Sequence, residues 1–396
     1  MAASTQLRTA ILITACLVGR PSDTPHPALA SEQANQVTTE KLTELMPAEQ
    51  FISYDATLAF LSDDTLVLQL CHSFPASNCP LLVIQIYDGR LHILARRDAS
   101  AGPALLFRAE DEGILAISQA SRSSQLFSTE LSPKHQFPYA PSHLSLSGKT
   151  AAAYVPDNQW TVFRTGTSLD RVKEVRRVAG ELEAVSDNAV AIRDRDTIRV
   201  ETLQGKLLST FKVKAKCPTE LQIVSQGRLF LQSCGPDRIV DLHGKEITRF
   251  RSPGGWGLRR GWSADGTRLL YDRYVRTVPT VQRFGEVFIA IATLGVGVVD
   301  ESANGEAVRV VDTTSGKTCF EWKDPKQLIQ TGVYHADISP SGRLVALVTG
   351  GTLSVYRLPQ ECSAFHLINA SALSEARFHK SVKAGRGAPR AFDRAV

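Results

Sequence analysis

The sequence lacks the signatures by which most enzyme chemistries can be read. There is no G-x-S-x-G elbow to present an activated serine. No two histidines stand at metal-ligand spacing, and no cysteine pair has the spacing of a zinc knuckle. Gly295-Val296-Gly297 follows an apolar run like the start of a dinucleotide fingerprint, but the third glycine is absent and Val298 to Ala303 leads into an Asn304-Gly305 turn. Gly148-Lys149-Thr150 and Gly316-Lys317-Thr318 end like phosphate-binding loops, yet His143 and Val311 occupy the place of the required upstream glycine. Acid pairs such as Asp63-Asp64, and Asp194 with Asp196, fall at turns, where carboxylates cap backbone amides without any acid-base role. These absences leave no cofactor, no metal and no catalytic residue to name, so the sequence leans away from an enzyme.

Charge of one sign is also scarce in the body of the chain. The formal net charge is +5; the first thirty residues carry +1 and the stretch from Ser374 onward carries +4, through Arg377, Lys380, Lys383, Arg386, Arg390 and Arg394 against Glu375 and Asp393. The residues between are formally neutral, and no nucleic-acid partner is expected. The basic tail, residues 374–396, is expected to be a solvated, disordered end, with contact to an anionic envelope or membrane surface as the alternative. With 43% hydrophobic and 21% charged residues the composition is that of a globular protein, neither wholly disordered nor polytopic in a membrane.

The first thirty residues read as an export signal, residues 1–30. Arg8 supplies the positive flank, Ala10 to Gly19 is an apolar run too short to span a bilayer, and Ala28-Leu29-Ala30 is a small-x-small cleavage site. Ile13-Thr14-Ala15-Cys16 competes as a lipobox, which would make Cys16 a lipidated N-terminus. Either way the mature chain is expected outside the cytoplasm, periplasmic or secreted. Cysteine usage agrees, because six remain beyond the signal. Cys217 and Cys234 flank a turn near Ser225 and Gln226 that puts them within a residue or two of facing each other, as a candidate bridge. Cys71 and Cys79 enclose a short loop with Pro75 and Asn78. Cys319 and Cys362 pair by elimination, with buried free thiols as the other reading.

A repeat dominates what is present. Turn centres recur at Asp64, Gly113, Gly148, Asn188, Gly227, Gly266 and Gly342, a period near forty residues interrupted once by a gap of 76. A second series follows downstream in the same units at Gly89, Gly166, Gly205, Gly244, Gly316 and Pro359. The runs between them, such as Thr65 to Leu70, Arg228 to Gln232 and Leu353 to Leu358, are short and rich in Leu, Val, Ile and aromatics, as strands are. Four strands per unit, seven times over, predict an all-β fold: a single seven-bladed β-propeller of four-stranded antiparallel blades, which also hides the edge strands that an open sheet would expose. An eight-bladed ring ranks second and would need Asn304-Gly305 to open a further blade.

Trp262-Ser263-Ala264-Asp265-Gly266-Thr267-Arg268 and Ile338-Ser339-Pro340-Ser341-Gly342-Arg343 resemble the S-P-D-G-R/K turn of bacterial propellers of the TolB, YncE and WD40-like kind, and Leu144-Ser145-Leu146-Ser147-Gly148-Lys149 is a weaker copy. Asp312-Thr313-Thr314-Ser315-Gly316-Lys317 is similar to the D-x-x-T-G-K turn of quinoprotein repeats. The resemblance covers most of residues 50–368 and implies fold rather than activity. It departs from true WD40 repeats in having neither Gly-His nor Trp-Asp pairs. It departs from quinoproteins in having Phe320 where their Trp stands, with Trp322 two further on, and no adjacent cysteines.

Two segments fall outside the repeat. Residues 31–50 form an N-terminal extension with a short helix expected from Thr38 to Met46, stopped by Pro47. The propeller proper is expected over 51–373, carrying an insertion at 274–306 whose apolar run Val287 to Leu294 must be covered by the ring, a partner or a membrane. With Trp256, Arg259, Arg260 and Trp262 just upstream, Phe288 and Ile289 mark this region as the first place to expect contact with an unknown protein or small-molecule partner. The expectation is an exported scaffold that binds a protein or ligand, with a lactonase- or hydrolase-like propeller enzyme using carboxylates at the channel mouth as the alternative.

Overall fold

The structure is a computed structural model. It describes residues 35–41, 45, 54–72, 79–98, 104–118, 121, 123–137, 140–155, 159–166, 174–213, 220–224, 227–232, 236–250, 256–276, 304–324, 335–349, 352–362 and 367–369. All of these belong to one compact unit, Glu32–Val396. The signal segment, Cys217, Cys234, Phe288, Ile289 and the basic tail lie outside the described residues.

Seven antiparallel sheets follow one another along the chain. Blade 1 is β2 (Tyr54–Phe60), β3 (Thr65–His72), β4 (Leu81–Tyr87) and β5 (Arg90–Arg97). Blade 2 is β6 (Ala104–Arg108), β7 (Ile114–Ser118), β8 (Ser123–Phe127) and β9 (Pro133–Phe137). Blade 3 is β10 (His143–Leu144), β11 (Thr150–Val155), β12 (Gln159–Arg164) and β13 (Glu174–Ala179), and blade 4 is β14 (Glu181–Val185), β15 (Ala189–Asp194), β16 (Thr197–Thr202) and β17 (Leu207–Lys212). Blade 5 is β18 (Glu220–Val224), β19 (Arg228–Gln232), β20 (Asp237–Asp241) and β21 (Glu246–Phe250). Blade 6 holds β22 (Trp256–Trp262), β23 (Arg268–Arg276), β24 (Asn304–Asp312) and β25 (Thr318–Asp324). Blade 7 holds β26 (His335–Ile338), β27 (Leu344–Thr349) and β28 (Thr352–Arg357).

Ring closure is visible in the core. Buried residues separate into seven clusters, each lying between two successive blades. The cluster that joins the last blade to the first packs Ala346, Val348, Leu353 and Val355 against Leu58, Phe60, Leu66 and Leu82. Runs such as residues 151–153 and 189–192 are buried on both faces because a neighbouring blade covers each side, so these middle strands are continuously apolar there rather than alternating. The fold is a seven-bladed β-propeller.

Every member of the first turn series sits between the first and second strand of a blade, and the glycines of the second series mark the turn between third and fourth strands, while Pro359 follows β28, the third strand of blade 7. Gly148, Gly205, Gly227, Gly244, Gly266, Gly316 and Gly342 all have φ between 68° and 91°, where a Cβ would be strained. Blade 2 shows no glycine in its second turn, because Leu131 takes that left-handed role with φ 61°. Asn304-Gly305 opens no eighth blade; these residues begin β24 and pair with Arg276 and Val275. The ladder Tyr274↔Glu306 to Arg276↔Asn304 likewise draws residues 274–276 and 304–306 into blade 6, so the excursion is confined to 277–303, outside the described residues.

Over residues 38–41 the N-terminal stretch departs from its expected helix, whereas Leu45 is helical. Asn35–Lys41 forms β1, which pairs antiparallel with β28 and supplies the outer strand of blade 7. Val37, Thr38 and Thr39 are β-branched, and the unpaired edge of β28 offers them a ladder that a short isolated helix could not match. At the other end, β29 (Leu367–Asn369) adds to blade 6 parallel to β25. Among the described residues two disulfides are closed: Cys71–Cys79, next to the β3–β4 connection, and Cys319–Cys362, which ties β25 to the segment after β28. The Arg268 guanidinium lies against the second bridge and donates to Gln360 O at 2.7 Å.

Candidate functional site

Because the blades are antiparallel, the first and third turns of every blade share one end of the ring, and the innermost strands run from the opposite end toward it. Those strands leave a central cavity of about 530 Å³. Its wall is drawn from β2, β6, β10, β18, β22 and β26, six of the seven blades. Counting back five residues from each first-turn centre gives Ala59, Arg108, His143, Glu183, Gln222, Gly261 and Asp337. All but Ala59 are half-buried, and Arg108, Gln222, Gly261 and Asp337 are on the cavity wall. Two residues further back stand Glu220 and His335, also on the wall. The two-residue step is the strand period: alternate side chains of an inner strand turn to the same side.

Four blades therefore send charged or titratable side chains to one space. Arg260 of β22 is held tightly. Its guanidinium donates to Glu220 Oε2 and Gln232 Oε1, lies 5.5 Å from the Phe230 ring centre and 5.9 Å from that of Tyr271, and its side chain is only 8% exposed. Tyr271 in turn donates to Asp237 Oδ2 at 2.6 Å, and burial followed by that carboxylate's charge pushes the phenol's pKa upward, so it stays protonated. Gln222 reaches across from β18 toward Leu144 O at 3.5 Å. Arg108 of β6 lies on the carbonyls of the next blade's turn, donating to Leu146 O at 2.7 Å and Ser147 O at 3.1 Å. Burial lowers its pKa, against the charges of Asp337, Asp63 and Asp187.

The seam between blades 7 and 1 is closed from within by β26. Leu58 N donates to His335 Nδ1 at 3.3 Å, and Phe60 N donates to Asp337 Oδ2 at 2.8 Å. These amides belong to an inner strand whose channel edge has no further strand to pair with, so the two side chains stand in for a ladder. Asp337 is pushed up to about 6, first by its removal from bulk water, against the Phe60 and Ile338 amides and the charge of Arg108. Burial also lowers His143, opposed by a hydrogen bond to the Leu182 backbone and by Glu220, and it raises Glu183, opposed by its ion pair with Arg193.

Apolar wall residues are Leu58, Phe60, Leu105, Phe107, Leu144, Leu146, Trp262 and Ile338, and Ser142 and Ser145 add uncharged polar groups. No group of three or more His, Cys, Asp or Glu side chains poised for a metal occurs among the described residues. No described helix is long and apolar enough to cross a membrane.

No family model matches the sequence, and no curated protein does. Among solved structures the chain is similar to KlHsv2 with loop 6CD replaced by a Gly-Ser linker, at 11% identity and a TM-score of 0.41, covering 83% of this chain and 98% of that one.

Of the residues singled out from sequence, Arg260 and Trp262 stand on the cavity wall. Trp256 and Arg259 belong to β22. The turn reading of the acids holds for Asp64, which accepts from the Ser62 and Thr65 hydroxyls, and for Asp63, which accepts from Ser341 N at 2.9 Å across the seam. Sequence reasoning missed Arg108, Glu220 and Asp337. The available signal was their fixed distance from the turn centres, five or seven residues upstream.

Proposed function

We propose that this protein is an exported propeller scaffold whose central cavity binds a small ligand. The observation that carries the reading is the convergence of Arg108, Glu220, Arg260, His335 and Asp337, from four blades, on a cavity whose wall also holds Ser142, Ser145, Gln222 and apolar side chains. Convergent polar groups set among apolar side chains in a concave volume of several hundred Å³ make up a small-molecule site. Export is supported by the reading of residues 1–30 and by the two closed disulfides, which persist in oxidising compartments. In this reading the protein belongs with bacterial TolB- and YncE-like propellers, the basic tail or a lipidated Cys16 holds it at the envelope surface, and residues 277–303 are where a protein partner makes contact.

An enzyme acting on a bound ligand is the second reading, favoured by a carboxyl poised near 6 and a histidine two residues apart on one cavity strand. A native mass spectrum of the protein purified from its own envelope, repeated after denaturation, tests the first. A small-molecule mass lost on denaturation is expected; a bare chain, or a retained protein in place of a small molecule, contradicts it. The same spectrum reads the mature N-terminus as Ser31 or lipidated Cys16.

A further inference from the structure

Within the cavity the acceptors are taken and some donors are not. Glu220 is in contact with Arg260, which has further partners in Gln232 and two aromatic faces. Asp337 accepts the Phe60 amide at Oδ2, and its Oδ1 is packed onto β22 so closely that a Cβ at Gly261 would lie 3.0 Å from it, with Ile338 and Leu270 at 3.6 Å. Gly261 is mid-strand and has no left-handed φ, so the glycine there records a close approach of two inner strands. Arg108 is different. Its Nε donates to Ser147 O at 3.1 Å and its Nη2 to Leu146 O at 2.7 Å, which fixes one edge of the planar guanidinium on the β10–β11 turn. The opposite edge, where Nη1 and the second Nη2 hydrogen form a parallel fork, points away from that backbone and has no acceptor among the described residues, and Arg108 is on the cavity wall. Gln222, on the same wall, reaches Leu144 O and Ile223 O with its amide nitrogen at no less than 3.5 Å.

We propose that the cavity takes a small organic anion, a carboxylate on a largely apolar body, with its two oxygens on the outer fork of Arg108. This inference rests on the ligand-binding reading above. A planar carboxylate matches a guanidinium fork with two parallel charge-assisted hydrogen bonds, and a fork already held by turn carbonyls loses little freedom in making them. The volume of about 530 Å³ is far larger than a bare anion, and Leu105, Phe107 and Trp262 on the wall suit a hydrocarbon body. Because Glu220 neutralises Arg260, Arg108 is the cation in excess among the described wall residues, which matches a monoanion rather than a dianionic phosphate.

Three carboxylates bear on Arg108: Asp337, Asp63 and Asp187. Asp187 is met by Arg164 at 3.8 Å and by the hydroxyls of Ser147 and Thr150, and Asp63 accepts Ser341 N. Asp337 is the one whose charge changes near neutral pH, because burial favours its protonated form. The other charged or titratable groups about it are Arg260 from β22, Glu220 from β18, Asp272 from β23, which accepts from Ala336 N at 3.2 Å, and His335 on its own strand, which accepts Leu58 N at Nδ1. As Asp337 ionises its charge opposes a carboxylate on Arg108, so affinity falls as pH passes upward through about 6.

The test is calorimetric titration of the full mature chain with 3-phenylpropanoate and its neutral isostere 3-phenylpropanamide, at pH 5.5 and pH 8. The acid should bind at pH 5.5 about tenfold or more tightly than the amide, and that advantage should shrink at pH 8. Arg108→Gln should bring the acid down to the amide's affinity. Asp337→Asn keeps an oxygen for the Phe60 amide and removes the opposing charge, so the acid should bind it as tightly at pH 8 as at pH 5.5. That readout does not depend on the Arg108 variant folding, and a merely structural role for Asp337 would not move it. An amide that binds as well as the acid, an acid advantage unchanged in a folded Arg108→Gln, or one that grows toward pH 8, overturns the inference and leaves the cavity reading standing. No binding of either probe also overturns the inference, and together with no retained small molecule in the native spectrum it overturns both.

Discussion

Asp337 shows how one side chain links fold, pH and site. It spans the seam where the ring closes, donating nothing and accepting the Phe60 amide at 2.8 Å, and its burial makes the protonated form the preferred one. A carboxyl whose folded pKa lies near 6, above the ordinary 3.8, stabilises the fold below about pH 4 and loses that contribution as pH rises through 6. The melting temperature of wild type relative to Asp337→Asn should therefore fall between pH 4 and pH 6.5, by the equivalent of on the order of 2 kcal/mol. Differential scanning calorimetry across that range checks it, and a constant difference contradicts it. In the sequence this aspartate is simply one of several acids near a turn. Nothing local separates it from Asp63 or Asp265, since its role depends on Phe60 and Gly261, which arrive from other blades.

Among the elements, the turns were the most legible and the terminal strands the least. A left-handed turn position selects glycine by sterics, so the chain writes its own punctuation. Where Leu131 takes that position the mark vanishes, and the sequence reading accordingly found no second turn in blade 2. β1 was read as helix because its partner, β28, lies more than three hundred residues away and no local pattern reveals an edge waiting to be covered. Deleting residues 35–41 should expose that edge, lower the melting temperature and promote association, and size-exclusion chromatography with light scattering reads the last effect. A deletion variant as stable and monomeric as wild type contradicts the role given to β1. The disulfides differ in the chain they close: 43 residues of separation for Cys319–Cys362 against 8 for Cys71–Cys79. By loop-closure entropy, double serine replacement should cost about 4 kcal/mol for the first and about 2.5 kcal/mol for the second, compared by denaturant unfolding. The reverse order would show that strain or residual structure governs them.

At the scale of the whole molecule, the period near forty and the neutral, mixed composition specified the ring, its blade number and its all-β class. The cavity stayed hidden because a propeller builds its axis from one strand per blade, so neighbours in the site are a blade's length apart in the chain. Only after the turn centres are aligned do Arg108, Gln222, Gly261 and Asp337 fall into one column. The measurement that tests the central claim most directly compares native mass spectra of wild type and Ser142→Trp, both purified from the native envelope. Ser142 is exposed and on the cavity wall, so an indole there should fill the space without disturbing the core. A small-molecule mass carried by wild type and missing from a folded Ser142→Trp is the predicted result. The same mass on both proteins, or on neither, would contradict a ligand site in the central cavity.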